Sequence, residues 1–225
     1  MTTNFHKREI GYGAFTASDI AKILGAPTQK VYRYIKEYGD ARFGEKLFKE
    51  SYSWKVDGTR VVNFYAFIEL SIFLLLRQKY NFKVSEINKV REVLAKAFNT
   101  PYPFASRTLY VEQKKIFYKE LDQLVNADGT HQFNLDSIVA PFLEKIDFEE
   151  DKAVRYFPMG RERNVVVDPT RQYGQPTVSG RGLRVQTLGR MYDSGESKEK
   201  IKILYDLSTK ELDDALLYYH RRKAA

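Results

Sequence analysis

Apolar and polar positions follow a helical period between residues 16 and 36, and this pattern predicts two short helices joined by a tight turn. Thr16 and Asp19 have the spacing of a helix N-cap followed by an acidic side chain in the first turn. Gly25 stands where a helix ends in a left-handed residue, and Pro27 suits the first turn of the next helix. The apolar stripes of the two helices consist of Ile20, Ile23, Leu24, Val31, Tyr34 and Ile35.

The second helix of this pair carries polar side chains on the face opposite its apolar stripe. In a helix-turn-helix, the second helix presents such side chains to the major groove of DNA. An ordinary helical hairpin with a solvated face has the same pattern, because short helix pairs are common. We interpret the polar face as a candidate DNA-binding surface made of Thr28, Gln29, Tyr32, Arg33 and Lys36.

Two β-prone runs follow within residues 51–64, and the dipeptide Asp57-Gly58 between them is typical of a two-residue hairpin turn. A hairpin directly after a helix-turn-helix has the position of the wing in a winged helix. Lys55 and Arg60 flank the turn, so we predict that they reach DNA phosphates.

The segment from Tyr65 to Tyr80 is apolar on almost every side, which predicts a helix that is deeply buried or forms an interface. The interface reading motivates the hypothesis of a homodimer. A second long helix is expected after it, with Ser85 as a cap and with Glu86 and Arg91 on a solvated face.

Two prolines within residues 99–104 end this helical region, and the chain then changes character. Short β-prone runs at 107–111, 116–120, 132–133, 154–157 and 165–167, with a helix over 135–145, predict a small α+β connector. The last 60 or so residues are helical again: Ser197 would cap one helix, and Ser208 with Glu211 forms the capping box of the last.

The expected fold is therefore mainly α with small β elements. We divide it into a winged helix-turn-helix with a helical arm over residues 1–100, an α+β connector over 101–164 and a trihelical, helix-turn-helix-like domain over 165–225.

The distribution of charge strengthens the DNA hypothesis. The net charge is +8, with +7 in residues 1–100, −3 in 101–160 and +4 in 161–225. Basic ends suit a polyanion such as DNA, whose phosphates supply most non-specific affinity. A modestly positive surface that only keeps the protein in solution is the alternative.

Amino-acid composition also indicates the cellular compartment of the protein and excludes some kinds of site. The chain has no cysteine, which excludes disulfides and thiolate metal sites and fits a reducing cytoplasm. We expect no signal peptide, because residues 1–13 contain no apolar core, and no membrane span, because no apolar run reaches about 18 residues. We therefore expect a cytoplasmic protein that makes no membrane contact.

Residues that often serve in catalysis are present but are not grouped. His6, His131 and His220 are far apart in sequence and match no zinc spacing. The neighbours Asp213 and Asp214 would point apart on a helix, which argues against paired acid–base chemistry. Gly174, Gly180 and Gly182 lack the Lys-Ser/Thr ending of a phosphate-binding loop and are interpreted as turn residues. We expect no enzyme activity, no metal site and no cofactor.

Two parts of the chain resemble bacterial families. Residues 16–98 resemble the MerR-like helix-turn-helix of transcription regulators. Three motifs in residues 165–219 carry a second resemblance: Asp168-Pro169, Gly174-Gln175-Pro176 and Gly195-Glu196-Ser197. With these motifs the segment resembles a small domain of unknown function that occurs in VapB-type antitoxins, which are encoded beside PIN-like ribonuclease toxins. The turn at residues 180–182 departs from the Gly-Thr-Arg turn of that family, which leaves Arg181 and Arg184 as alternatives for its arginine.

The resemblance implies the antitoxin of a type II toxin–antitoxin system. Such a protein would neutralise a PIN-like ribonuclease toxin and bind its own operator DNA as a repressor, as a homodimer whose recognition helices reach half-sites about one DNA turn apart. Two alternatives remain, a stand-alone MerR-like dimeric regulator without a toxin and an adaptor that does not bind DNA. The candidate toxin-binding residues, basic side chains that could block an acidic active site, are Arg181, Arg184, Arg221 and Arg222.

Overall fold

The computed structural model describes residues 12–37, 52–79, 81–106 and 141–221. The strands expected at 107–111, 116–120 and 132–133 lie outside these residues. In the described part the fold is mainly α with short strands. The elements are β1 (Phe15–Thr16), α1 (Ala17–Leu24), α2 (Thr28–Arg33), β2 (Trp54–Val56), β3 (Thr59–Val62), α3 (Phe64–Lys79), α4 (Val84–Ala97), β4 (Ile146–Glu149), β5 (Lys152–Tyr156), β6 (Val165–Val166), β7 (Thr177–Val178), α5 (Val185–Asp193), α6 (Lys198–Tyr205) and α7 (Thr209–Arg221).

The helix pair α1–α2 has the ends that the sequence predicts. The backbone N–H of Asp19 donates to Thr16 Oγ1 at 3.1 Å, and the N–H of Thr16 donates to Asp19 Oδ2 at 3.0 Å. This reciprocal capping fixes the start of α1. Gly25 ends α1 with a φ of 66°, a backbone conformation that glycine adopts at little cost. The turn that sets the angle between the two helices is therefore encoded locally.

The predicted hairpin is present and is tied to the helix pair. Its turn residues Asp57 and Gly58 have φ values of 47° and 76°, as the favoured two-residue hairpin turn requires. Strand β3 pairs with β2 on one side and with β1 on the other, giving a small antiparallel sheet in the order β1-β3-β2. Because β1 leads directly into α1, the hairpin is held beside the helix-turn-helix.

Helix α3 lies inside the N-terminal core of its own chain. Aromatic rings from distant segments surround it, including Phe15, whose ring stacks on Phe67 with 4.9 Å between centroids, and Tyr156, which meets Phe67 edge-on. The apolar composition of this helix is thus explained by burial in one copy, and it no longer argues for a dimer. The buried apolar side chains of α3 are Phe64, Ala66, Phe67, Ile68, Leu70, Ile72, Phe73, Leu74 and Leu76.

Helix α4 departs from the sequence prediction in two respects. It begins at Val84, and Glu86 rather than Ser85 satisfies its first turn, since the N–H of Lys83 donates to Glu86 Oε2 at 2.7 Å. Arg91 is buried instead of solvated, and its Nε lies 2.7 Å from Oε2 of Glu69 on α3. The prediction was wrong because a charge on an amphipathic helix usually faces water unless another element supplies a partner.

The buried apolar residues form two cores. The first extends from Phe15 to Val167 and includes Ile146, Ala153 and Tyr156 of the β4–β5 hairpin, which packs on the core formed by β1 and α1–α4. The second consists of β6, β7 and the helices α5–α7. Its members are Val165, Val178, Val185, Leu188, Ile201, Leu207, Leu212, Ala215, Leu216 and Tyr218.

Backbone hydrogen bonds of the first core reach the residue that directly follows β6, a strand of the second core, and so attach the second core to the first. Tyr156 and Val167 exchange two N–H···O bonds of 3.0 and 2.8 Å. The N–H of Ala14 also donates to the carbonyl of Tyr173 at 3.0 Å. Next to Tyr173, Gly174 lies so close to Phe15 that a Cβ atom there would be 2.2 Å from the ring. The C-terminal helices therefore have a fixed attachment to the N-terminal core.

The C-terminal helices have the predicted caps. Ser197 accepts the N–H of Lys200 at 3.3 Å at the start of α6. At the start of α7, Ser208 and Glu211 form the predicted capping box, with N–H···O distances of 3.2 and 2.8 Å. None of the described helices is both long enough and apolar enough to cross a membrane.

Candidate nucleic-acid and partner interfaces

The predicted DNA-binding face of α2 is exposed in full. Val31, Tyr34 and Ile35 are buried against the core, and the side chains on the other side of the helix point to solvent. The helix continues as a π-helical turn over residues 34–37, in which Lys36 and Glu37 are exposed. The exposed residues are Thr28, Gln29, Tyr32, Arg33 and Lys36, and Tyr32 has 46% of its surface accessible.

This face has the charge that a phosphate backbone requires. Residues 28–36 contain three cations, Lys30, Arg33 and Lys36, and no acidic residue. Gln29 and Arg33 are four positions apart and therefore neighbours on one side of the helix. An amide and a guanidinium in this arrangement can make paired hydrogen bonds to the edges of adjacent bases.

The two predicted residues of the hairpin differ in their surroundings. They face each other across the strands as register partners. Lys55 is exposed, and within the described residues no hydrogen bond or ion pair holds its amine. Arg60 is half-buried and donates from Nη1 to Ser53 Oγ at 2.5 Å. The structure thus gives Arg60 a role within the hairpin, whereas Lys55 is available to an external anion.

The two predicted arginines near β7 make contacts within the chain. Arg181 donates from Nε to Glu211 Oε1 at 2.8 Å, which ties the turn after β7 to the start of α7. Burial opposes ionisation of Glu211, but hydrogen bonds from Ser208 and Arg181 lower the pKa of its carboxyl group. Arg184 donates from Nε to Gln172 Oε1 at 2.9 Å. Both guanidinium groups therefore stabilise the C-terminal domain.

Arg221 lies at a different place from the other predicted toxin-binding residues. It is exposed at the end of α7 and lines a groove of about 540 Å³ between α7 and the turn of the helix pair, together with Pro158 and Tyr218. The structure brings this cation next to the α1–α2 turn. Arg222 lies outside the described residues.

An apolar surface on α6 was not anticipated from the sequence. Ile203 and Leu204 have 83% and 62% of their surface exposed, and Leu217 on α7 has 50% exposed. A signal was available, because Ile201, Ile203 and Leu204 occur within four positions of a short helix. A helix of two turns cannot bury all of them on one face, and only Ile201 enters the core.

The buried carboxylate of Asp214 is bound by partly exposed side chains, an arrangement that the sequence analysis did not predict. Its carboxylate accepts hydrogen bonds from Arg163 at 2.8 Å, from the backbone and side chain of Asn164 at 3.0 and 2.8 Å, and from Lys210 at 3.0 Å. Burial alone would raise the pKa of Asp214, but these hydrogen bonds lower it to about 2. The neighbouring Asp213 points away, as predicted, and pairs with Lys198 at the surface.

The described residues were also searched for metal-binding groups. Within residues 12–37, 52–79, 81–106 and 141–221, no three His, Cys, Asp or Glu side chains lie close enough together to hold a metal ion. His220 instead contacts the Leu216 carbonyl and Asp193, at 2.9 and 3.0 Å.

Comparison with known proteins gives one family match and two relatives. The family described as a protein of unknown function, DUF433, matches residues 165–219, from β6 into α7. The chain is 24% identical over 230 residues to the uncharacterized protein Rv2308 of Mycobacterium tuberculosis, covering 94% of this chain and 92% of that protein. It is 32% identical over 87 residues to a protein of the same organism named putative antitoxin VapB45, covering 38% of this chain and 36% of that protein.

A solved structure has the same fold over nearly the whole chain. The X-ray structure of Rv2018 from Mycobacterium tuberculosis matches with a TM-score of 0.71 at 20% identity, covering 93% of this chain and 99% of that one. This likeness concerns the fold alone. The DUF433 match and the partial relative named putative antitoxin VapB45 support an antitoxin-associated family.

Proposed function

We propose that this protein is the antitoxin of a type II toxin–antitoxin system, which binds its operator as a repressor and binds and neutralises a PIN-like ribonuclease toxin. The observation that carries the toxin–antitoxin part is the 32% identity to a protein named putative antitoxin VapB45. The family match over residues 165–219 supports the same assignment. The division of labour between the two ends of the chain is argued from their surfaces.

DNA binding is assigned to α2 and the β2–β3 hairpin, in the manner of a MerR-like winged helix-turn-helix. Gln29 and Arg33 would read base edges, since Gln pairs well with adenine and Arg with guanine in the major groove. Lys36 and Lys55 would contact phosphates on either side. The support for this assignment is an exposed helix face with three cations against the single exposed carboxylate of Glu37 at its end, and an exposed lysine on the hairpin.

Toxin binding is assigned to the exposed face of α6. Ile203 and Leu204 gain nothing from contact with phosphates, whereas burial under a polypeptide removes their surface from water. Interface cores in protein complexes are depleted in charge and enriched in such apolar contacts. We place the toxin on this face, with Arg221 as a further candidate contact because it is exposed at the end of the next helix.

Operator binding also requires a second copy of the chain. A helix-turn-helix protein reads two half-sites about one helical turn apart by presenting two recognition helices. We therefore propose a homodimer, formed through a surface other than α3. Light scattering on the purified chain at micromolar concentration tests this, and a monomer at all concentrations that support DNA binding would contradict it.

The DNA assignment is tested with single alanine variants in a gel-shift assay on the protein's own promoter. We expect Arg33→Ala and Lys36→Ala to weaken binding by about tenfold each, since a base or phosphate contact contributes about 1–3 kcal/mol. Lys89→Ala is the matched control, because Lys89 is an exposed cation on α4. Equal affinity of all three variants and the wild type would remove the assignment to α2.

A stand-alone MerR-like regulator without a toxin is the second candidate function. One observation favours it: Arg181 and Arg184, the predicted toxin contacts, are already engaged with Glu211 and Gln172. Purification from the native host under mild conditions separates the two candidates. Recovery of a small PIN-like protein in stoichiometric amount supports the antitoxin, whereas its absence together with intact operator binding supports the regulator.

A further inference from the structure

A pocket of about 300 Å³ lies at the junction of the two cores and is built from three separate segments. Strand β5 contributes Arg155, the loop after β6 contributes Asp168 and Arg171, and the turn after β7 contributes Ser179 and Gly180. The backbone bonds that join the cores and the pairing of β6 with β7 bring these segments together. The charged lining residues are Arg155, Arg171 and Asp168, and Arg155 is also within ion-pair distance of Asp147 and Glu149.

The two carboxylate oxygens of Asp168 are occupied by partners within the chain. Oδ1 accepts the N–H and the hydroxyl of Thr170 at 2.9 and 2.6 Å. Oδ2 lies 3.4 Å from Nε of Arg155 and 3.8 Å from Nε of Arg171. The side chain is 8% exposed. Asp168 therefore acts as an anchor that holds both guanidinium groups by their Nε side.

The terminal nitrogens of the two arginines keep donor capacity. Those of Arg155 are 3.5 and 3.6 Å from Asp147 and Glu149, longer than a charge-assisted hydrogen bond. Those of Arg171 have no hydrogen-bond or ion-pair partner within the described residues, and 45% of its side chain is exposed. Within the described residues, the terminal N–H groups of Arg171 are therefore the donors that the pocket offers to a ligand.

Ser179 adds a hydroxyl group that also lacks a hydrogen-bond partner among the described residues. Its Oγ is shielded from solvent. Ser179 lines the pocket with Arg155, Asp168 and Arg171, beside the apolar Phe157 and Val166. A buried hydroxyl without a partner costs about 1–3 kcal/mol. An acceptor in the pocket would remove this cost, so the hydroxyl and the guanidinium groups point to the same missing chemical group.

We propose that this pocket binds a phosphate group. A phosphate offers several acceptor oxygens and at least one negative charge, and guanidinium forks match its geometry. The pocket is distinct from the α2 surface, and the proposal does not depend on a toxin. The phosphate comes either from a free phosphate compound or from the backbone of a bound duplex, and the two sources share the same contacts.

Calorimetric titration of the full-length chain with inorganic phosphate, against chloride at matched ionic strength, tests the free source. We expect saturable binding in the millimolar range, weakened at least tenfold in Arg171→Gln and unchanged in Arg190→Gln, an exposed arginine on α5. Ser179→Ala gives a signature that a purely structural role would not. Without phosphate its unfolding temperature stays the same or rises, because an unsatisfied hydroxyl is removed, while its affinity for phosphate falls severalfold.

The salt dependence of duplex binding tests whether the phosphate in the pocket comes from the DNA backbone. If the pocket holds a backbone phosphate, Arg171→Gln lowers the slope of log K against log salt by about one relative to Arg190→Gln. Either result supports the proposal and identifies the source. The proposal is overturned if wild type gives no binding at tens of millimolar phosphate and the two variants have equal slopes. Because the titration uses neither DNA nor toxin, its failure is distinguishable from failure of the proposed function.

Discussion

Glu69 on α3 and Arg91 on α4 form an ion pair inside the N-terminal core, with 1% and 5% of their side chains exposed. The N–H of Phe104 also donates to Glu69, and the Arg91 guanidinium lies 4.9 Å from the centroid of the Tyr52 ring. Removal from water raises the pKa of Glu69 to about 7, although Arg91 and the Phe104 N–H act in the opposite direction. The pair thus joins α3, α4 and the segment after α4.

The pH dependence of stability follows from this raised pKa. The folded-state pKa of Glu69 is above its ordinary value of 4.5, so its contribution to stability is fully present below pH 4.5 and is lost as pH rises through about 7. We expect the free energy of unfolding of the wild type, relative to Glu69→Gln, to fall by about 3 kcal/mol over this range. Urea unfolding of both proteins at several pH values measures the difference. A difference that is independent of pH would contradict the prediction.

Adjacent carboxylates on α7 should differ strongly in their contribution to stability. Asp214→Ala removes the acceptor of Arg163, Asn164 and Lys210, and we expect the free energy of unfolding at pH 7 to drop by about 1–3 kcal/mol. Asp213→Ala is the control, because its pair with Lys198 is exposed and contributes less than about 1 kcal/mol.

Because the pKa of Asp214 is lowered, the difference in stability between the Asp214 and Asp213 variants should depend on pH. Its contribution is present above the ordinary value of 3.8 and is lost as pH falls through about 2. The two variants should therefore approach each other in stability in strong acid. Equal effects of the two substitutions at pH 7 would show that the buried carboxylate does not stabilise the fold.

Substitutions of the hairpin residues Lys55 and Arg60 should have different effects, the first on DNA binding and the second on stability. Lys55 is exposed, so Lys55→Ala should lower the salt slope of duplex binding by about one and leave thermal unfolding unchanged. Arg60 bonds Ser53, so Arg60→Ala should lower the free energy of unfolding by about 1–2 kcal/mol. Thermal melts and gel shifts on the same preparations measure both effects, and a Lys55 variant with wild-type affinity at every salt concentration would exclude a phosphate contact there.

The apolar face of α6 should be required for the polypeptide partner and dispensable for DNA. We expect the double variant Ile203→Asp, Leu204→Asp to lose the co-purifying toxin while its gel shift and melting temperature stay within error of the wild type. Val93→Asp on α4 is the control for an exposed apolar residue, since 41% of its surface is accessible. Retention of the toxin by the double variant would move the interface elsewhere.

Local features of the sequence predicted local structure well. The caps at Thr16–Asp19 and Ser208–Glu211 and the turn at Asp57-Gly58 depend on residues within a few positions of each other, and all are present. The exposed face of α2 was predictable for the same reason, because burial of its apolar stripe decides where its polar residues point.

Contacts between distant segments could not be predicted in this way. Arg91 was assigned to solvent because its partner Glu69 lies on another helix, and Asp214 takes Arg163 from 51 positions away. The roles of Arg181 and Arg184 depend on which acceptors the fold brings near them. Periodicity identifies the side of a helix that is polar, but it does not identify the partner that a charge will meet.

The contact between Gly174 and Phe15 has a consequence for how this chain can be divided. Phe15 is fully buried, and part of its cover is the backbone of Gly174, where a side chain would overlap the ring. Expression of the N-terminal half alone would expose the ring of Phe15 to water. Expression of the C-terminal half alone would leave the backbone at Gly174 without the ring that it packs on. Truncated versions should therefore aggregate and unfold readily. The roles of the two halves are better separated by point substitutions in the full-length chain.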